Sequence, residues 1–93
     1  MRDRIRLATN YLDYGYKLAT LSGQRPRGIE NCRESVRLFQ LLAQERNTDA
    51  RLLRIAAAAY ERTAEILETD EAEKGEATLL RCMAADLRAR PGD

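Results

Sequence analysis

Apolar residues recur along this chain with the period of an α-helix. Side chains that are three or four positions apart share one face of a helix. Four series have this spacing: Leu7, Tyr11, Tyr14, Leu18 and Leu21; Ile29, Cys32, Val36, Phe39 and Ala43; Ala50, Leu53, Ala57, Tyr60, Ala64 and Leu67; and Ala77, Leu80, Ala84 and Leu87. The sequence therefore predicts an all-α fold in which each segment places one apolar face in a common core.

Loop and capping signals divide the chain into four predicted helices. Their approximate ranges are 2–22, 29–46, 49–68 and 76–90. Gly23 has the residue type that commonly follows a helix end, and Pro26 and Gly28 mark the clearest loop of the sequence. Either Asn47 or Thr48 is expected to cap the third helix, with the Asp49 carboxylate favouring its positive end. The second and third helices are therefore expected to form a tight antiparallel hairpin.

Residues 69–75 decide between two architectures. Asp70 and Glu73 form a capping-box pattern, and Gly75 is of a type that stops helices. However, a stripe of the third helix could also continue through Asp70 and Glu73 to Ala77, which would give one long C-terminal helix. We expect a small antiparallel bundle of four helices, because folding the last segment back covers more apolar surface. Three helices with a long C-terminal helix are the alternative.

The length and composition of the chain predict a single domain with a modest core. There are 93 residues, and aromatic residues make up 5% of them with no tryptophan. Residues 1–93 therefore form one predicted domain whose core consists mainly of leucine, isoleucine and alanine. Alanine-rich faces bury little area, and hydrophobic stabilisation follows buried area. We expect a marginally stable monomer or one that is supported by a second subunit.

The chain contains no histidine, which narrows the chemistry that it can perform. Phosphorelay histidines, Ser-His and Cys-His nucleophiles and histidine ligands for zinc or haem are all excluded. No other catalytic, metal or phosphate-binding motif occurs. Glu61, Glu65 and Glu68 share a helix face, and we interpret them as an exposed acidic stripe. The sequence thus predicts a protein without enzymatic activity, cofactor or bound metal.

The cysteines and the N-terminal segment indicate an intracellular location. Cys32 and Cys82 both belong to predicted apolar faces, so buried reduced thiols are expected, with a disulfide between the second and fourth helices as the alternative. The N-terminal segment lacks the continuous apolar core of a signal peptide, and no apolar run reaches the length needed to cross a bilayer. We expect a cytoplasmic protein that does not bind membranes.

Tyrosines and arginines are the candidate binding residues. Tyr11, Tyr14 and Tyr60 lie on the apolar stripes and are expected to pack in the core, whereas Tyr16 lies off the main stripe and is predicted at an interface. Arginines cluster at the start of the first helix, in the loop around Pro26, and on the second helix. The first two clusters are separated by about 30 Å of helix at 1.5 Å per residue, so they do not form one patch unless dimerisation joins them.

Two functions are compatible with these features. The sequence favours a noncatalytic protein–protein interaction module, which forms a homodimer or acts as a small adaptor or regulatory subunit through an apolar helical surface. Tyr16, Arg33 and Arg37 are its candidate partner-binding residues. The alternative is a nucleic-acid-associated regulator that uses the arginine clusters. The sequence pI of about 7.8 favours the first function, because nucleic-acid-binding domains are usually strongly basic.

Overall fold

A computed structural model describes residues 2–21, 23–44 and 49–90. Within these ranges the chain forms four α-helices and no β-strand. The helices are α1 (Arg2–Thr20), α2 (Arg25–Ala43), α3 (Ala50–Leu67) and α4 (Lys74–Ala89), with a 3₁₀ turn (Glu71–Glu73) before α4. This confirms the prediction of a four-helix fold, and α3 and α4 are separate helices rather than one long one.

The four helices form an open, flattened bundle. Helix α1 packs mainly on α2, and α4 packs mainly on α3. Helix α3 lies at the centre because it packs against each of the other three helices. The Cα atoms extend over 39 × 26 × 15 Å. Since α1 and α4 lie at opposite edges, one side of each remains uncovered by the rest of the bundle.

The apolar stripes predicted for the last three helices form the core. Most of their members are buried: Ile29, Cys32, Val36, Phe39 and Ala43 from α2, Leu53, Ala57, Tyr60, Ala64 and Leu67 from α3, and Ala77, Leu80, Ala84 and Leu87 from α4. Ala50, at the first position of α3, is exposed. The central helix also buries the neighbouring series Leu52, Ala56, Ala59, Thr63 and Ile66. Burial on two adjacent faces of α3 explains why it can contact all the other helices.

For α1, the predicted stripe is not the face that packs in the core. Of its members, only Leu18 is buried, whereas Leu7, Tyr14 and Leu21 have exposed fractions of 49%, 54% and 80%. The helix instead turns the neighbouring side, which carries Ala8, Leu12 and Gly15, towards the core, with Ala8 fully buried. The expected core position of Tyr14 is therefore corrected to a half-exposed surface position.

Two glycines explain this choice of face. A Cβ atom added at Gly15 would lie 2.6 Å from the carbonyl oxygen of Gly28, and one added at Gly28 would lie 2.5 Å from the backbone nitrogen of Ala19. Helices α1 and α2 thus approach each other backbone to backbone, which only residues without a Cβ permit. Near the other end of this contact, the Ser35 hydroxyl donates a 2.7 Å hydrogen bond to the carbonyl oxygen of Ala8. This close packing therefore fixes which side of α1 faces α2 and leaves Leu7 and Tyr14 on the surface.

Several predicted helix ends differ from those in the structure. Gly23 has a φ of +69°, as expected for a residue that ends a helix. Helix α2 begins at Arg25 rather than near residue 29, because Pro26 occupies its first turn, where proline is tolerated. Gly75 does not stop a helix but lies in the first turn of α4.

Aspartates cap α3 and the 3₁₀ turn that precedes α4. Asp49 is itself the N-cap of α3, and its carboxylate accepts a 2.7 Å hydrogen bond from the backbone N–H of Leu52. The other two predicted caps, Asn47 and Thr48, lie outside the described residues. Asp70 caps the 3₁₀ turn by accepting a 2.9 Å hydrogen bond from the N–H of Ala72.

The two cysteines occupy different environments. Both are free; Cys32 is buried, but Cys82 is exposed on α4. The prediction of a buried thiol is therefore wrong for Cys82, which lies off the Ala77, Leu80, Ala84 and Leu87 face. Burial raises the pKa of the Cys32 thiol to about 11, partly offset by a hydrogen bond with Thr63. Among the described residues, no helix has the length and apolarity that crossing a membrane requires.

Candidate functional site

The outer side of α1 carries an apolar stripe that the other described helices leave largely uncovered. Leu7 and Tyr14 are each about half exposed, and Tyr11 between them is partly exposed. Because these residues are spaced by four and three positions, they lie in one row along the helix. Leu21 extends the row beyond the end of the helix. This row holds two of the three tyrosines of α1, Tyr11 and Tyr14.

Helix α2 borders this stripe and turns it into one wall of a groove. Arg27 and Asn31 of α2 form the opposite wall, and the groove encloses about 360 Å³. Leu38 follows Asn31 by seven residues and therefore lies on the same side of α2. The antiparallel contact between Ser35 and Ala8 places this part of α2 beside the N-terminal half of α1. Leu7, Tyr11, Tyr14, Arg27, Asn31 and Leu38 are called the outer α1–α2 face below.

A row of exposed polar residues runs along the other side of the α1 stripe. Its members are Asp3, Arg6, Asn10, Asp13 and Lys17. Within the described part of the chain, none of its four charged members forms an ion pair, although many charges elsewhere do. This row is called the α1 charged flank.

Arg33 is engaged inside the molecule. Its guanidinium donates hydrogen bonds to both carboxylate oxygens of Glu76 at 2.9 and 2.6 Å, and it lies 3.4 Å from Glu73. The hydrogen bonds to Glu76 raise the pKa of Arg33 above its ordinary value. A bidentate pair of this kind fixes the geometry of both side chains. Arg33 thereby ties α2 to the start of α4.

Arg37 is likewise engaged, but within its own helix. It pairs with the Glu34 carboxylate through its Nε atom at 3.0 and 3.1 Å and through a further contact from Nη2. These hydrogen bonds lower the pKa of Glu34 and raise that of Arg37. A phosphate or a partner carboxylate would therefore have to displace an existing partner from Arg33 or Arg37. Their predicted role in partner binding stays a prediction.

The two loop arginines point in different directions, and Arg25 shares the Glu73 carboxylate with Arg33. Arg25 points at the C-terminal end of α3, where it donates a 3.1 Å hydrogen bond to the carbonyl oxygen of Ile66, and it lies 2.9 Å from Glu73. Cations are favoured at the C-terminal end of a helix, so this contact stabilises the bundle. Arg27 donates a 3.2 Å hydrogen bond to the side chain of Gln24. The structure thus directs Arg25 inward and leaves Arg27 on the outer α1–α2 face.

Tyr16 lies at the junction of α1 and α3. Its ring is partly buried against the core, and the Arg62 guanidinium lies over it at 5.4 Å from the ring centroid. A cation over an aromatic face is a favourable contact in its own right. Tyr16 also borders a depression of about 200 Å³ with Arg25 and Glu65. The predicted interface role of Tyr16 stays a prediction. Tyr60 is in the core as expected, and burial raises its pKa to about 12.

A second groove separates α2 from α4. It encloses about 310 Å³, and its apolar lining includes Val36, Leu79 and Met83. Leu79 is 59% exposed, which makes it comparable to Leu7 in residue type and accessibility. This groove contains no apolar row as long as that of α1. Leu79 therefore serves as a control position on another surface of the molecule in the experiments below.

Two of the three glutamates of the predicted acidic stripe, Glu61 and Glu68, pair with α4. Glu61 accepts hydrogen bonds from Arg88 at 3.3 and 2.7 Å, and Glu68 accepts them from Arg81 at 2.6 and 2.7 Å. Each arginine lowers the pKa of its carboxylate partner. In the ranges that the structure covers, no group of three or more His, Cys, Asp or Glu residues is placed to hold a metal ion.

Comparison with known proteins adds no relative to this description. No family model, curated protein or solved structure matches the chain. The features of the molecular surface therefore carry the functional inference.

Proposed function

We propose that this protein is a noncatalytic protein–protein interaction module that binds its partner through the outer α1–α2 face. The observation that carries the proposal is the exposed row of Leu7, Tyr11 and Tyr14 on α1. Single exposed apolar residues are normal on soluble proteins, but an apolar row beside a groove is typical of an interaction site.

The composition of this face suits protein binding. Tyrosine offers a large apolar ring with few rotatable bonds and a hydroxyl group that can remain hydrated, so it anchors interfaces at a low entropic cost. Burying the exposed halves of Leu7 and Tyr14 would contribute on the order of 1 kcal/mol each to association. Arg27 and Asn31 supply polar groups at the edge, where hydrogen bonds fix the orientation of a partner. The groove has the form that accepts the apolar side of another helix.

The packing of α1 on α2 keeps this row on the surface. Turning α1 to bury Leu7 and Tyr14 would remove Gly15 from its backbone contact with Gly28. It would also break the hydrogen bond from Ser35 to Ala8. The exposed row is thus fixed on the surface by the packing of the opposite side of the helix.

The ion pairs of the arginines support this function over nucleic-acid binding. Use of Arg33 for phosphate would cost its bidentate contact with Glu76, and Arg37 would have to leave Glu34. The carboxylates left behind would then repel the phosphates. For this reason we do not propose the arginine clusters as a nucleic-acid interface.

Site-specific photocrosslinking in cells that make the protein tests the proposal. A photoreactive phenylalanine analogue replaces Tyr14 in one variant and Leu79 in the other, the latter as a control on the α2–α4 groove. We expect position 14 to give a discrete crosslinked polypeptide of defined mass, in higher yield than position 79. Either a different protein or a second copy of this chain would support an interaction module. If position 14 gives no polypeptide adduct while the protein is folded and expressed, the proposal is wrong.

A further inference from the structure

The charged flank of α1 has an order that is complementary to itself. From the N-terminal to the C-terminal end, its charged residues are negative, positive, negative and positive: Asp3, Arg6, Asp13 and Lys17. Asn10 lies at the midpoint of this series. All five side chains are exposed, and in the described part of the chain the four charges have no ion-pair partner. Such a row can therefore accept an external partner without losing internal pairs.

In an antiparallel alignment of two α1 helices, each charged residue of the flank lies opposite a residue of the other sign. With a twofold axis near Asn10, residues whose numbers sum to about 20 lie opposite each other, within one residue or about 1.5 Å along the axis. Asp3 then faces Lys17 of the second copy, and Arg6 faces Asp13. Each contact occurs twice, because a twofold interface repeats every pair.

The same alignment also pairs the apolar residues. Leu7 of one copy lies opposite Tyr14 of the other, again twice. A parallel alignment in register would instead place Asp3 against Asp3 and Lys17 against Lys17, which is repulsive. The α1 charged flank therefore favours the antiparallel orientation over the parallel one.

We infer that the partner of the outer α1–α2 face is a second copy of this chain, which docks with its α1 antiparallel to the first around a twofold axis near Asn10. This inference rests on the proposed function, since it names the occupant of the same face. The apolar row supplies the buried area, and the α1 charged flank sets the orientation and register. The dimer is of modest affinity, because one helix and the edge of its neighbour form a small interface.

Charge reversal of single residues tests the orientation of this dimer. Sedimentation equilibrium of the purified full chain should detect a dimer for the wild type. The variants Asp3→Lys and Lys17→Glu should each raise the dimer dissociation constant on the order of tenfold, since two exposed ion pairs become two repulsive contacts. An equimolar mixture of the two variants should form a mixed dimer with a dissociation constant near that of the wild type, because both contacts are then attractive again.

Native mass spectrometry of the mixture identifies this mixed dimer, which has a mass of its own. Preference for the mixed dimer over both variant homodimers shows that residues 3 and 17 lie at the interface. The single variants distinguish the orientations: in a parallel pairing in register, each charge reversal would only exchange one pair of like charges for another, so it would leave the dissociation constant unchanged. A random distribution of the three dimers would overturn the antiparallel arrangement. So would charge reversals that leave the wild-type dissociation constant unchanged.

Two matched leucine variants test the apolar part of the interface. Leu7→Glu should abolish the dimer, whereas Leu79→Glu should leave it intact, because Leu79 is similarly exposed but lies on α4. Circular dichroism checks that both variants retain their helices. The inference is refuted if Leu79→Glu dissociates the dimer and Leu7→Glu does not.

The outcomes for the partner and for the function can be separated. A purified chain that sediments as a monomer at every soluble concentration refutes the dimer. If position 14 still crosslinks to a different polypeptide in cells, the interaction module stands with another partner. If position 14 crosslinks to no polypeptide, both the function and the dimer fail.

Discussion

Replacing Gly28 with alanine tests the close contact that determines which side of α1 is exposed. The added Cβ would lie 2.5 Å from the Gly15 carbonyl oxygen and 2.5 Å from the Ala19 nitrogen. Both are backbone atoms of α1, so no flexible side chain can move aside. To reach ordinary contact distances, the two helices would have to separate by roughly 1 Å, which disturbs the tight packing around them. We expect Gly28→Ala to destabilise the protein.

The expected loss in the free energy of unfolding follows from two opposing effects. Overpacking a tight contact costs about 1–3 kcal/mol, and the backbone clash places this site near the upper limit. Alanine in place of glycine within a helix returns about 1 kcal/mol. The net loss is about 2 kcal/mol. Because 1 kcal/mol corresponds to about 4–8 °C in a domain of this size, the melting temperature should fall by about 8–16 °C.

Thermal unfolding followed by circular dichroism measures this effect, with Gly75→Ala as the control. A Cβ at Gly75 meets no atom within 4 Å, so this substitution in α4 should raise the free energy of unfolding by up to about 1 kcal/mol. All variants are compared at one protein concentration, since self-association raises the melting temperature. A Gly28→Ala protein that melts at or above the wild-type temperature would refute the close-contact explanation for the exposed α1 stripe.

Three further predictions concern a helix cap, the thiols and an ion pair. Asp49→Ala should lower the free energy of unfolding by about 1 kcal/mol in urea titrations, because α3 loses its N-cap; an unchanged value would contradict that role. In a thiol-reagent assay on the native protein, Cys82 should react promptly and Cys32 only after unfolding, because the latter is buried with a pKa of about 11; two fast thiols would show the burial to be wrong. Arg81 lowers the pKa of Glu68 from 4.5, so the stability from this pair is present above pH 4.5 and is lost as the pH falls below it. Melting temperatures of Glu68→Gln should therefore fall less steeply with acid than those of the wild type, and parallel curves would count against the pair.

Local sequence patterns were sufficient for the number and type of helices. The spacing of Leu53, Tyr60 and Leu67 predicts a buried side of α3, and the side is buried. Gly23 predicts the end of α1, and its positive φ confirms it. These predictions succeed because helix periodicity and helix termination depend on residues that are close together in the chain.

The exposed face of α1 could not be predicted in the same way. Leu7, Tyr14 and Leu21 can each bury more area than Ala8 or Gly15, so a periodic pattern that weighs side-chain size selects the larger residues as the core. A signal for the opposite choice was present in the small residues Gly15 and Gly28, which allow two backbones to approach. It becomes decisive only when both helices are placed side by side.

The partner of Arg33 depended on tertiary structure too, whereas Arg37 pairs with Glu34 at the local i,i+3 spacing. The sequence places Arg33 on the outer side of α2, where it could equally have been free to bind phosphate or a partner. Its bidentate contact joins it to Glu76, which lies 43 residues further along the chain. No local pattern encodes a contact over that separation.

The sequence by itself thus determined that the chain forms four amphipathic helices without histidine chemistry, since composition and period are local properties. Tertiary structure decided which of two competing faces of α1 is buried. It did so because the close backbone contact between Gly15 and Gly28 holds the side of α1 that carries Ala8 and Leu12 in the core, so that Leu7 and Tyr14 stay outside. The apolar row that was left outside is the surface on which the proposed function depends.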